Sequence, residues 1–196
     1  MTIDSRQQAG SQDFESSLAM RLLEKRIVMF SGGVDDRSAS RICSQLLILD
    51  QEDPKAPITM VINSGGGSVT SGFAIYDVIQ GLKAPVRTVG AGIVASMGVT
   101  IFLSVPAERR FSLPNAQFMI HQPLIPGTVV APASDIEINA REMVKTKDKL
   151  NRLIAEATSQ PLETVEKDTQ RDYWLGAEEA VKYGLASKVI SSMYDL

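Results

Sequence analysis

Residues 89–100 read VGAGIVASMGVT, with Ala91, Gly92 and Ala95 before Ser96 and Met97 and Gly98 after it. An apolar stretch, Val86 to Val89, leads in, and a second, Val99 to Leu103, leads out. The pattern predicts a strand that turns at small residues into a helix, with a serine at the junction. A hydroxyl in that place lies near a helix N-terminus, where backbone N–H groups have no intrahelical partner. Such groups stabilise an oxyanion, which suits a nucleophile. Taken by itself, Ser96 is also explained as a helix cap or a small packing residue.

Upstream, Ile58 to Ile62 (ITMVI) reads as a strand and Val69 to about Gly81 as a helix, with Asn63-Ser64-Gly65-Gly66-Gly67-Ser68 between them. Consecutive glycines permit positive φ and a close approach of backbone to a ligand. A phosphate loop needs a Gly-Lys-Ser/Thr ending, and a dinucleotide site needs G-x-G-x-x-G; neither is present. A plain tight turn is the remaining structural explanation. Further upstream, Phe14 to Glu24 reads as an amphipathic helix and Arg26 to Phe30 as a strand. Asp36 is placed to cap a helix running through Leu49, with Ala39, Ile42, Cys43, Leu46 and Leu49 at helical steps.

Downstream, Arg109 to Leu113 and Gln117 to Ile120 are short strands, and His121 comes directly off the second. Residues 122–133 hold prolines and a glycine and read as an extended loop. Ser134 and Glu137 form a capping box that opens a helix to about Thr158, roughly 38 Å long at 1.5 Å per residue. A rod of that length outruns a domain of this size, so its apolar positions imply a partner chain. Pro161 starts a short helix to Lys167, a polar segment 168–172 precedes Tyr173-Trp174, and a helix from Gly176 to Tyr183 ends on Gly184. Ala186 to Ile190 closes as a strand. Strands alternating with helices predict an α/β fold built from βα or ββα units.

The chain has 196 residues, a formal charge of −3, one cysteine and one histidine. Length and composition fit one globular domain, 17–196, behind a flexible N-terminal segment, 1–16. The charge leaves no footprint for nucleic acid, and no apolar run is long enough for a membrane helix. The polar start shows no signal peptide, and Cys43, expected as a buried core thiol, excludes an internal disulfide; together these predict a cytoplasmic protein. One histidine and one cysteine do not make a common zinc site, so no metal and no cofactor are expected. If an imidazole activates Ser96, it is His121. An orienting carboxylate could come from Asp135, Asp148, Asp168 or Asp172, and spacing does not choose among them.

The stretches INSGGGSVTSG (62–72), VASMGV (94–99), MIHQPL (119–124), DIEINARE (135–142) and QRDYWLGAEEAVKYGL (170–185) resemble the Clp protease proteolytic subunit, the ClpP serine peptidase family. The resemblance runs in order from about residue 17 to 190. It implies a crotonase-like fold of repeated ββα units with a long protruding handle helix, 134–158. It implies a serine endopeptidase with Ser96 as nucleophile, His121 as general base, Asp172 as orienting carboxylate, and the N–H groups of Gly67 and Met97 as oxyanion donors. It implies heptameric rings paired into a tetradecamer and unfolded polypeptides as substrates. It also implies a Clp family ATPase as partner, which consumes ATP that this chain does not bind.

Departures from the family pattern refine these expectations. Gly65 stands where the family usually has proline, so its loop has more freedom. The segment Ile125 to Val130 is longer and less glycine-rich than usual, which implies altered peptide specificity. Gln170 replaces an acidic residue that pairs with the arginine of the opposite ring, and Thr59, Val61 and Gly81 replace aromatics of the ATPase-docking pocket. The family's gating loop is not recognisable in residues 1–16. These differences point to a mixed complex with a second ClpP-type subunit. Two other readings stay open: a catalytically silent ring subunit, and a crotonase-type thioester enzyme, for which a Ser-His-Asp set is unnecessary. An α/β-hydrolase elbow is disfavoured because Val94 and Ser96 do not fit G-x-S-x-G.

Overall fold

The structure is a computed structural model that describes residues 17–125, 127–128 and 130–196; the expected flexible segment 1–16 lies outside the described residues. A helix at 17–24 (α1) leads into β1 (Ile27–Ser31), α2 (Asp36–Glu52), β2 (Ile58–Ser64), α3 (Val69–Gly81), β3 (Val86–Ala95) and α4 (Met97–Phe102). Then follow β4 (Arg110–Ser112), β5 (Gln117–Ile120), α5 (Ala133–Thr158), α6 (Leu162–Asp168), β6 (Tyr173–Gly176), α7 (Ala177–Tyr183) and β7 (Lys188–Val189). Among the described residues, no helix is long and apolar enough to cross a membrane.

Strands β1, β2, β3, β4 and β7 lie side by side in that order, all parallel. Alternation along β1 sends Val28 and Phe30 to one face and Ile27 and Met29 to the other. The first face meets the buried stripes of α2 (Ala39, Ile42, Leu46, Leu49) and α3 (Ile75, Ile79) in the main core. The second carries a smaller cluster of Val61, Val89 and Ile190, flanked by Ile27, Phe111, Leu113 and Leu196.

β3 is longer than the apolar run Val86–Val89 suggests, because it serves two neighbours. Its first half pairs with β4 (Thr88 to Gly90) and its second half with β5 (Ile93 to Ala95). Between them its register against β2 shifts, from Ile62↔Gly90 to Ser64↔Val94. That bulge bends the strand away from the main sheet and delivers its end to Ser96. β5 then pairs antiparallel with β6, from Gln117↔Gly176 to Ile120↔Tyr173.

Several local expectations are corrected. Asp35, not Asp36, caps α2: its carboxylate accepts from the Ser38 N–H at 2.7 Å, and the Ser38 hydroxyl accepts from the Asp35 N–H at 2.9 Å. The Ser134/Glu137 box does not form; α5 starts at Ala133 after Pro132, and Glu137 pairs with Arg141 at 2.6 Å instead. Cys43 is half-buried rather than a core thiol, its Sγ 3.7 Å from the Ala74 carbonyl, and burial pushes the thiol's pKa up. The final strand is shorter than expected, at Lys188–Val189. β6 takes up the aromatic pair Tyr173-Trp174 after the polar segment and also Gly176, so the last helix starts at Ala177.

The base of α5 is fixed in the core by Leu150, Ile154 and Ala155. Its last turn is closed by the buried Arg110, whose guanidinium donates to the Ala157 carbonyl at 2.7 Å and to the Val105 carbonyl at 2.8 Å. A cation at the negative end of a helix is favourable, and here it also satisfies an end carbonyl.

Candidate active site

Ser96 follows directly on β3 and precedes the first turn of α4, with φ 54° and ψ −124°. A non-glycine residue with positive φ carries strain of about 1–3 kcal/mol and persists only where its surroundings hold it. Here the hold comes from three sides. The Ser96 N–H donates to the Met119 carbonyl of β5 at 2.8 Å, its carbonyl accepts from the Val99 N–H at 2.9 Å, and Gly66 lies against its Cβ. The Ser96 side chain makes no cap to its own helix, so the hydroxyl is free for another partner.

That partner is His121, whose Nε2 lies 2.8 Å from Ser96 Oγ. The other ring nitrogen, Nδ1, lies 3.2 Å from Asp172 Oδ1. Sheet register explains how residues 51 positions apart meet. β5 and β6 pair antiparallel with Ile120 opposite Tyr173, so the residues just beyond, His121 and Asp172, face each other. The Gln122 N–H then donates to the Thr169 carbonyl at 2.6 Å, and its side-chain amide donates to the Gln170 carbonyl at 3.0 Å. The Thr169 hydroxyl in turn lies 3.0 Å from Asn151 Oδ1, which ties this frame to the base of α5. The imidazole is largely enclosed, at 16% exposure, whereas the Asp172 carboxylate is open at 62%. The tautomer satisfying both contacts carries its proton on Nδ1 and leaves Nε2 to accept from Ser96.

The other carboxylates lie elsewhere. Asp168 accepts from the Tyr183 hydroxyl at 3.0 Å, and that contact together with burial pushes the tyrosine pKa up. Asp135 and Asp148 sit on α5.

The glycine loop after β2 faces Ser96. Val34 forms a parallel bridge with Gly67: the Val34 N–H donates to the Gly66 carbonyl at 2.9 Å, and the Ser68 N–H donates to the Val34 carbonyl at 2.8 Å. This pairing uses the groups on either side of Gly67 and leaves the Gly67 N–H turned away from Val34. A side chain at Gly67 would strike the Val34 carbonyl. One at Gly66 would place its Cβ 2.6 Å from Ser96 Cβ and 2.9 Å from the Met97 nitrogen. Sequence reading passes over Gly66; the run of glycines signals close approach but does not say which member makes it. Met97 is the first residue of α4, where an N–H has no intrahelical acceptor.

A cleft of about 620 Å³ runs past Ser96 and His121, lined also by Gly65, Gly67, Val69 and Leu124. Beside it lies a small recess of about 20 Å³ walled by Val69, Met97, Thr100, Ile120, Leu150 and Ile154. The arrangement offers a hydroxyl next to a base, an acceptor for the base's other nitrogen, and a helix start and a glycine loop beside the hydroxyl.

The family model for Clp protease matches residues 10–193 of the 196. The parallel sheet with its flanking helices is the ClpP-type α/β fold. The chain therefore belongs to the Clp protease family, a family of peptidases.

Proposed function

We propose that this chain is a serine endopeptidase subunit that hydrolyses peptide bonds of unfolded polypeptides through Ser96, His121 and Asp172. The observation carrying this reading is the 2.8 Å contact between His121 Nε2 and Ser96 Oγ, with Asp172 on the opposite nitrogen. His121 takes the Ser96 proton as Oγ attacks the scissile carbonyl carbon. The carbonyl oxygen becomes an oxyanion and receives the N–H groups of Gly67 and Met97. As the C–N bond breaks, His121 Nε2–H protonates the leaving amine, and an ester on Ser96 remains. Water, deprotonated by the same nitrogen, hydrolyses that ester and restores the serine. Asp172 holds the required tautomer and stabilises the imidazolium.

Ring assembly through α5 belongs to the same reading. Its outer half carries Ile136, Ile138 and Val144 exposed on more than one side of the helix, apolar surface that a second copy or a related subunit would cover. A Clp family ATPase would supply unfolded chains to such rings, in the cytoplasm. The test is labelling of the purified protein with a fluorophosphonate, mapped by peptide mass. An adduct on Ser96 is expected, and Ser96→Ala should abolish it. Absence of an adduct, alone and after mixing with a related subunit, favours a silent ring subunit. Thioester turnover that survives Ser96→Ala would favour the crotonase-type alternative.

A further inference from the structure

The loop that approaches Ser96 is poorly held by its own sequence. Gly65, Gly66 and Gly67 are consecutive, and glycine has the most backbone freedom to lose. A Cβ built on Gly65 would meet nothing within 4 Å, and the one bond within the loop is a 3.2 Å contact from the Gly66 N–H to Ser64 Oγ. The loop is fixed from outside, by the segment Val34 to Asp36, at two places flanking Gly67.

The first grip is the Val34 bridge to Gly66 and Ser68. The second is at the start of α3, where the buried Ser71 hydroxyl donates to Asp36 Oδ1 at 2.6 Å. A hydroxyl-to-carboxylate bond of that length is of the charge-assisted, stronger kind. Ser71 Oγ also lies 2.9 Å from Ser68 Oγ, which accepts the Ser71 N–H at 3.3 Å and lies 3.1 Å from the Thr70 hydroxyl. Asp36 is not needed to cap α2, because Asp35 does that.

We infer that Asp36 is a positioning residue for the reaction: through Ser71 it clamps the Gly65–Ser68 loop so that the Gly67 N–H stays aimed at the oxyanion. This rests on the peptidase reading above. The clamp matters in the transition state, where the donor is used, and little in binding the ground state.

The test uses the full chain with Ser71→Ala, Asp36→Ala, Asp36→Asn and the Ser71→Ala/Asp36→Ala double variant. Turnover of a fluorogenic peptide, fluorophosphonate acylation of Ser96, Tm, and amide hydrogen exchange across residues 63–72 are measured for each. Each alanine variant should lower kcat about 10-fold with KM nearly unchanged, less than the full loss of an oxyanion donor. Asp36→Asn keeps an acceptor oxygen and should recover most of the rate. The double variant should be no slower than either single one, as for two groups acting through one bond. Exchange in the loop should quicken while Tm stays nearly constant. Unchanged kcat, additive losses, or a rate that falls only in step with Tm would overturn the inference. If the wild-type chain fails to acylate at Ser96 both alone and after mixing with a related subunit, the peptidase reading falls. Loop exchange in Ser71→Ala then decides the clamp, faster supporting it and unchanged overturning it.

Discussion

Around Ser96 the chain crowds itself, whereas along the outer half of α5 it touches almost nothing. At Ser96, β3, β5, the glycine loop and α4 meet so closely that a single added methyl on Gly66 has no room. From Ala133 to Lys145, every residue but Met143 is exposed, including Ile136, Ile138 and Val144. The first region is completed by this chain's own backbone. The second shows apolar surface that nothing among the described residues covers. Chemistry and assembly are thus built to different standards in one subunit, and substitutions should separate them.

The largest effect belongs to the crowded region. Ser96→Ala should lower kcat/KM about 10⁵-fold or more, measured with a fluorogenic peptide. Asp172→Asn should lower it about 10²–10³-fold, less than for a buried triad carboxylate, because solvent reaches Asp172 and screens it. Gly66→Ala should cost about 10²-fold in kcat by pushing on Ser96 and Met97, with circular dichroism near wild type. An active Gly66→Ala variant would mean that the crowding is not functional.

The two ends of α5 sharpen the contrast. Ile154→Ala, in the anchored base, should cost about 2–5 kcal/mol of stability in denaturant unfolding. Ile138→Ala, at the outer end, should change the stability of the separated subunit by less than about 0.5 kcal/mol. It should instead lower the assembled fraction seen in sedimentation. Equal stability losses at both ends would erase the distinction. Similarly small, Arg141→Ala should cost about 0.3–0.5 kcal/mol, since its pair with Glu137 is exposed on one helix face.

Much of the fold was legible because its signals are local. An apolar run ended by Gly32-Gly33 marked β1, helical spacing marked α2, α3 and α5, and Gly184 marked the end of α7. Ser96 and His121 could be singled out, one by its small-residue turn and the other as the sole histidine. Asp172 could not be chosen from four aspartates without a family resemblance. What brings it to His121 is the β5–β6 register, and β6 exposes Tyr173 and Trp174 and buries only Leu175, too little pattern to announce a strand. Asp35 and Asp36 posed a similar problem. Neighbouring carboxylates look interchangeable on paper, yet one serves its own helix and the other reaches a serine in the next. Gly66 and Gly67 likewise differ only in what each one faces.

The backbone at Ser96 bears on how such a protein ages in evolution. Glycine accepts φ 54° and ψ −124° more readily than serine does. Ser96→Gly should therefore give a folded subunit at least as stable as wild type, and more stable than Ser96→Ala, in thermal melts. Selection for thermostability alone would discard Ser96; on the proposed mechanism, selection for turnover must retain it against that pull. A gene copy released from the need to cut peptides, but still needed to build a ring, would drift toward glycine at this position and gain robustness by doing so.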